Sequence, residues 1–148
     1  MEFSCPRWDQ LPQIALYMDQ VLLVLNQALA PLGRPEEPVI TATMINNYVK
    51  MKLAAPAVKK KYDREHMVRF LMVCLMKKVL SMAEIAAVLD KLLQKHSLEN
   101  AYDLFCLELE TRLCTPDGPD GENCPLFLAV VVRAVACKII AERLLTDM

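Results

Sequence analysis

The chain has 148 residues, 55% of them hydrophobic, with a mean hydropathy of +0.25 and a formal net charge of −1. Folding at this length buries roughly 68–70% of the extended surface, which supports one compact domain; an apolar share above the usual ~45–50% points to a further buried face, such as a subunit contact. Only three glycines (Gly33, Gly118, Gly121) and two histidines (His66, His96) occur, which excludes glycine-rich phosphate loops, nucleophile elbows and zinc-protease helices, so a non-enzymatic protein without a cofactor is expected.

The opening MEFSCPRWDQ lacks the apolar stretch of a signal peptide, so a cytoplasmic, reducing location is expected. Cys5, Cys74, Cys106, Cys114, Cys124 and Cys137 then read mostly as small buried hydrophobes. No apolar run reaches the ~18 residues of a membrane span. Charge is segregated. Residues 50–78 carry nine lysines and arginines against Asp63 and Glu65, whereas both flanks are acidic. A basic island in an acidic chain is either a polyanion footprint or an ordinary solvated surface.

The first predicted helix spans Ile14 to Ala30, with Ile14, Met18, Val21, Leu22, Leu25 and Leu29 at helical spacing between Pro12 and Pro31. The proline-rich PLGRPEEPV that follows reads as an extended connector. A second helix is expected from Thr41 or Thr43, as N-cap, to about Leu53. One side of it holds Ile45, Tyr48 or Val49, and Leu53; another holds Thr43, Asn46, Asn47 and Lys50 at i, i+3, i+4 and i+7. Asparagine amides pair bidentately with adenine, and lysine reaches guanine or phosphate, so this second stripe has the chemistry of a base-reading face.

PAVKKKY is too short for a helix and fits a tight hairpin or wing. Asp63 can cap a helix from Arg64 to about Leu80, buried on several sides. In that helix His66 is expected to be an exposed first-turn residue rather than a general base. Ser81-Met82-Ala83-Glu84 is a capping box that opens a further helix with Ile85, Val88, Leu89 and Leu92 inward. Ser97 caps the next, to about Cys114. TPDGPDGENC reads as a plain surface turn, and Pro125 opens a last helix to about Leu145 that wants burial on nearly all sides.

Taken in order, MINNYVKMKLAAP, the basic KKKY turn and DREHMVRFLMVCLMKKVLSMAEIAAVL resemble the MerR-type winged-helix DNA-binding domain. Its recognition helix follows an I-R-Y-Y-E-x-x-G-L-x-x-P pattern and a Tyr stands at the exit of its basic wing; Ile45, Tyr48, Leu53 and Pro56 match the first and Tyr62 the second. Asn46 stands at the pattern's arginine and Lys52 at its glycine, and the connector takes the place of the short brace helix. The blocks LYMDQV, T-x-T-M-I-N-N-Y-V-K and KKKY resemble more closely a bacterial family known only as a domain of unknown function. The expected fold is therefore all-α: an N-terminal helix and connector (1–40), a MerR-like winged helix (41–95) and a C-terminal helical pair (96–148) for dimerisation or an effector.

The resemblance implies a homodimeric transcriptional regulator of double-stranded DNA, with Thr43, Asn46, Asn47 and Lys50 toward the major groove and Lys59, Lys60, Lys61 and Arg64 on phosphate. A small-molecule effector fits that scheme. A helical adaptor for a protein partner or apolar ligand is the alternative, with the island touching an acidic partner. A metal or thiol sensor on Cys106, Cys114 and Cys124 is a third possibility, although their spacings match no usual site.

Overall fold

The computed structural model describes residues 2–34 and 36–146; Pro35 of the expected connector lies outside the described residues. It is mainly helical, with six α-helices and one two-stranded antiparallel sheet among the described residues. The chain divides into two compact units, residues 5–74 and residues 75–146 with 2–4.

In the first unit β1 (Leu16–Tyr17) leads directly into α1 (Met18–Leu29). The helix starts four residues later than the periodicity predicts, because Leu16 and Tyr17 pair with β2 (Lys61–Tyr62) and leave Ile14 72% exposed. Val21, Leu25 and Leu29, four residues apart, form its buried stripe. Pro31 ends it in a single 3-10 turn, Ala30–Leu32.

The connector is held rather than loose. Asn26 Nδ2 donates to Leu22 O and to Ile40 O, both at 2.9 Å, while its Oδ1 accepts from the backbone of Val39 (2.8 Å) and Ile40 (3.0 Å). One amide thus satisfies the backbone where the connector returns. Gly33 fits because an added Cβ would lie 2.5 Å from Val39 Cγ2.

α2 (Ala42–Lys50) is capped by Thr41, whose hydroxyl accepts from Met44 N. Ile45 and Tyr48 are its buried residues. α3 (Arg64–Met76) is buried along nearly its whole length, from Met67 to Met76 except Arg69. It stops before the predicted Leu80, because Ser81 must be extended to cap the next helix and the chain tightens into turns closed by Lys78 N to Leu75 O and Val79 N to Met76 O.

In the second unit the Ser81 capping box opens α4 (Met82–Leu93), which buries Ile85, Leu89 and Leu92. Ser97 caps α5 (Leu98–Cys114), and α5 packs along α6 (Leu126–Thr146). The last helix buries one face, Leu128, Ala129, Val132, Val135, Ala136 and Ile139, rather than nearly all sides. Leu126, Val130, Leu144 and Leu145 stay 51–73% exposed.

The 115–125 loop is more than a plain turn. Arg112, 1% exposed, donates to Gly118 O and, at 2.6 Å, to Asp120 Oδ1, which also accepts from Arg133. Gly121 lies against buried Glu108, where any Cβ would collide with Oε1. Of the six cysteines only Cys5, Cys74 and Cys106 are buried; Cys114 and Cys137 are exposed. Among the described residues no helix is long and apolar enough to cross a membrane.

Candidate nucleic-acid interface

The site is built within residues 41–69 of the first unit. With Ile45 and Tyr48 turned inward, the 3.6-residue period leaves Thr43, Asn46, Asn47 and Lys50 exposed together on the opposite side of α2. All four sit on a helix stiffened at both ends. Its C-terminus is a Schellman motif: Lys52 N donates to Val49 O (3.0 Å) and Leu53 N to Tyr48 O (2.9 Å), with Lys52 left-handed at φ 62°. That conformation favours glycine, and a lysine occupies it. Leu53 and Tyr48, at the two positions where an apolar contact accompanies the motif, are both buried. Burial, followed by the Cys74 thiol, pushes the Tyr48 phenol well above its ordinary range.

After Leu53 the chain turns through Pro56 into a two-residue hairpin. Val58 N donates to Lys61 O (2.9 Å) and Lys61 N to Val58 O (3.0 Å), with Lys59 and Lys60 both left-handed at φ 53° and 66°. Two consecutive positive φ values are the signature of a type I′ turn, the tight hairpin loop in which Asn-Gly is the favoured pair. Here the turn projects two exposed lysines. Antiparallel pairing of Tyr17 with Lys61 and Leu16 with Tyr62 fastens the returning strand. Val58, at the hairpin base, is 67% exposed.

Lys61 and Arg64 are half-buried rather than free. Lys61 Nζ lies 5.0 Å above the Tyr17 ring and the Arg64 guanidinium 5.2 Å above that of Trp8. Arg64 Nε is buried with no hydrogen-bond partner. Of the eight residues expected to contact nucleic acid, six are exposed and these two rest on aromatic faces.

His66 departs furthest from expectation: it is 7% exposed. It occupies the third position of α3, where Asp63 Oδ1 accepts from His66 N (3.0 Å) and Asp63 N donates to His66 Nδ1 (3.1 Å), a reciprocal cap. Nδ1 also lies 2.8 Å from Asp63 Oδ1, and Nε2 lies 3.1 Å from Pro56 O. The rings of Tyr62 and Phe70 enclose it, at 5.3 and 6.0 Å between centroids. Burial pushes the Asp63 carboxyl upward, but the hydrogen bonds from His66 backbone and ring outweigh it and hold it below the usual carboxylate range.

One turn further along α3, Arg69 Nη1 donates to Leu53 O at 3.4 Å. His66 and Arg69, three residues apart on one side of the helix, therefore hold the carbonyls of Pro56 and Leu53 in the link between α2 and the hairpin. Nothing in the sequence marks Arg69 or Tyr17 for such a role, and His66 reads there only as an exposed first-turn residue. The matching glycine position of the winged-helix pattern is the only signal that marked Lys52. Among the described residues no cluster of three histidine, cysteine or acidic side chains can hold a metal ion.

Residues 6–105, more than half of the chain, match the family described as Domain of unknown function (DUF1836), and the chain belongs to that family. No curated protein and no solved structure matches it.

Proposed function

We propose that this member of the DUF1836 family is a non-enzymatic, MerR-like winged-helix regulator that binds double-stranded DNA as a homodimer. The observation that carries the reading is the basic hairpin, whose two tip lysines take left-handed conformations that glycine or asparagine would adopt at lower cost. Backbone strain retained at an exposed, charged tip is a reason to look for function there. The left-handed Lys52 supports the winged-helix resemblance as well, because the pattern's glycine falls at that position. In this reading Thr43, Asn46, Asn47 and Lys50 enter the major groove, and Lys59, Lys60, Lys61 and Arg64 hold phosphates. Tyr17, 50% exposed beside Lys61, joins the edge of the surface.

The test is fluorescence anisotropy on random and genomic duplexes across a salt series, with wild type beside a variant carrying Lys59→Glu, Lys60→Glu and Lys61→Glu. Binding that weakens steeply with salt and disappears in the variant is expected. Absence of binding by the wild type at low salt would refute the reading. A second reading, a helical adaptor for a protein partner, draws on the exposed Leu126, Val130, Leu144 and Leu145 of α6. A stable heteromeric complex together with no DNA affinity would favour it.

A further inference from the structure

We infer that His66 is the clasp that closes the base of the basic hairpin and so fixes how Lys59, Lys60 and Lys61 are presented to a polyanion. Its partner rests on the DNA reading above; its geometry does not. One imidazole reaches both legs of the loop, through Nε2 to Pro56 O before the turn and through Nδ1 to Asp63 after it. Hydrogen on Nε2 is what the clasp requires, since Nε2–H donates to Pro56 O; Nδ1, 3.1 Å from Asp63 N and 2.8 Å from Asp63 Oδ1, accepts from the first when bare and donates to the second when it carries hydrogen. With hydrogen on Nδ1 alone the ring still bonds Asp63 Oδ1 but leaves Pro56 O without its donor, so only the second leg is held.

The hairpin has few other supports. Its own hydrogen bonds are the two between Val58 and Lys61, and β2 contributes two residues to the sheet. A two-stranded ribbon of this size is marginal in water by itself, and its tip carries two strained residues. A tether on both legs therefore decides how much of the time the turn is formed. Tyr62 and Phe70 pack around the ring and hold it in the plane these bonds require. His66 acts through the hairpin and does not itself face solvent, so its role is positional.

The two ring nitrogens separate by substitution. His66→Gln extends an N–H toward the Nε2 position and keeps a donor for Pro56 O; His66→Asn offers an oxygen near the Nδ1 position and keeps the cap on Asp63 N–H while dropping the Pro56 tether. Hydrogen exchange at the Val58 and Lys61 amides reads the clasp directly. Exchange about tenfold faster is expected in His66→Asn, the effect of one lost hydrogen bond, with near wild-type rates in His66→Gln. Affinity for duplex DNA should follow the same order at a temperature where both variants remain folded by circular dichroism.

Equal exchange in wild type and His66→Asn overturns the clasp, as does equal acceleration in both variants, which is the mark of simple packing. Should His66→Asn fail to fold, nitrogen-resolved NMR of the wild-type imidazole decides: hydrogen on Nε2 sustains the clasp, and hydrogen on Nδ1 alone overturns it. If the exchange pattern holds but no form binds DNA, the nucleic-acid reading fails and the clasp stands.

Discussion

Replacing Lys59-Lys60 by Asn-Gly separates the cost of the turn from its use. Both lysines sit at positive φ, which disfavours an L-residue with a side chain by roughly 1–2 kcal/mol. Glycine escapes that penalty and asparagine much of it, while the extra freedom of glycine in the unfolded chain returns about 0.5–1 kcal/mol. The double variant should therefore be more stable by about 1–2 kcal/mol. At roughly 2–4 °C per kcal/mol for a chain of this size, its Tm rises by about 2–8 °C. Urea unfolding should move to a higher midpoint with an unchanged slope. Because two phosphate-reaching charges are lost, the slope of log affinity against log salt should become shallower by roughly 1.8. A protein that gains stability while losing DNA affinity is the expected outcome. A variant that is no more stable refutes the strain argument, and an unchanged salt slope refutes the phosphate role of the tip.

Three other outcomes follow from the same geometry. Asn26→Ala removes the partner of two backbone N–H groups and of Ile40 O, so a loss of about 2–4 kcal/mol is expected by urea denaturation, with Asn26→Asp intermediate because it keeps the acceptor. Asp63→Ala should cost about 1 kcal/mol as a lost N-cap; the carboxyl's folded-state depression means that its contribution is present above the unfolded value of about 3.9 and is lost as pH falls through the folded value, so wild type and variant converge in acid. Cys124, whose thiol burial pushes up to about 11 with help from Glu108 and Asp120, should react with a thiol reagent at pH 8 far more slowly than exposed Cys114 and Cys137, and equal rates would contradict the latched loop.

The parts legible in the sequence are those set by local chemistry. Ser81 and Glu84 specify a helix start because both halves of the capping box lie within four residues, and the structure has them at 2.9 and 3.2 Å. Thr41, Asp63 and Ser97 mark boundaries for the same reason. The period of α2 exposes Thr43, Asn46, Asn47 and Lys50 together without help from tertiary contacts. What escaped depends on partners distant in the chain. β1 is two residues long and exists through its pairing with residues 61–62, so periodicity assigned Leu16 and Tyr17 to the helix. His66 reads as exposed because first-turn positions usually are; its ring is instead turned inward toward Pro56 O, ten residues earlier. Pro56 reads as the stop that carries α2 to Leu53, whereas the helix ends at Lys50 through a left-handed Lys52, a position where the stop signal is normally glycine.

Why a marginal hairpin should suit a nucleic-acid surface follows from where its tethers lead. Leu53 O and Pro56 O are both held by side chains from the first two turns of α3, whose remaining length is among the most buried in the chain. The end of α2 and the start of the hairpin therefore share one rigid support, and neither element can shift without breaking a bond to that helix. Ordering a mobile lysine-bearing loop on contact would cost about 1–2 kcal/mol for each residue whose backbone is fixed. Support from α3 moves that ordering of the backbone into folding, and on the proposed reading leaves the exposed ends of Lys59 and Lys60 free to track phosphates. On the proposed reading the strained turn and the buried histidine serve one purpose: the first projects the charge, and the second keeps the projection in a fixed direction relative to the asparagine face of α2.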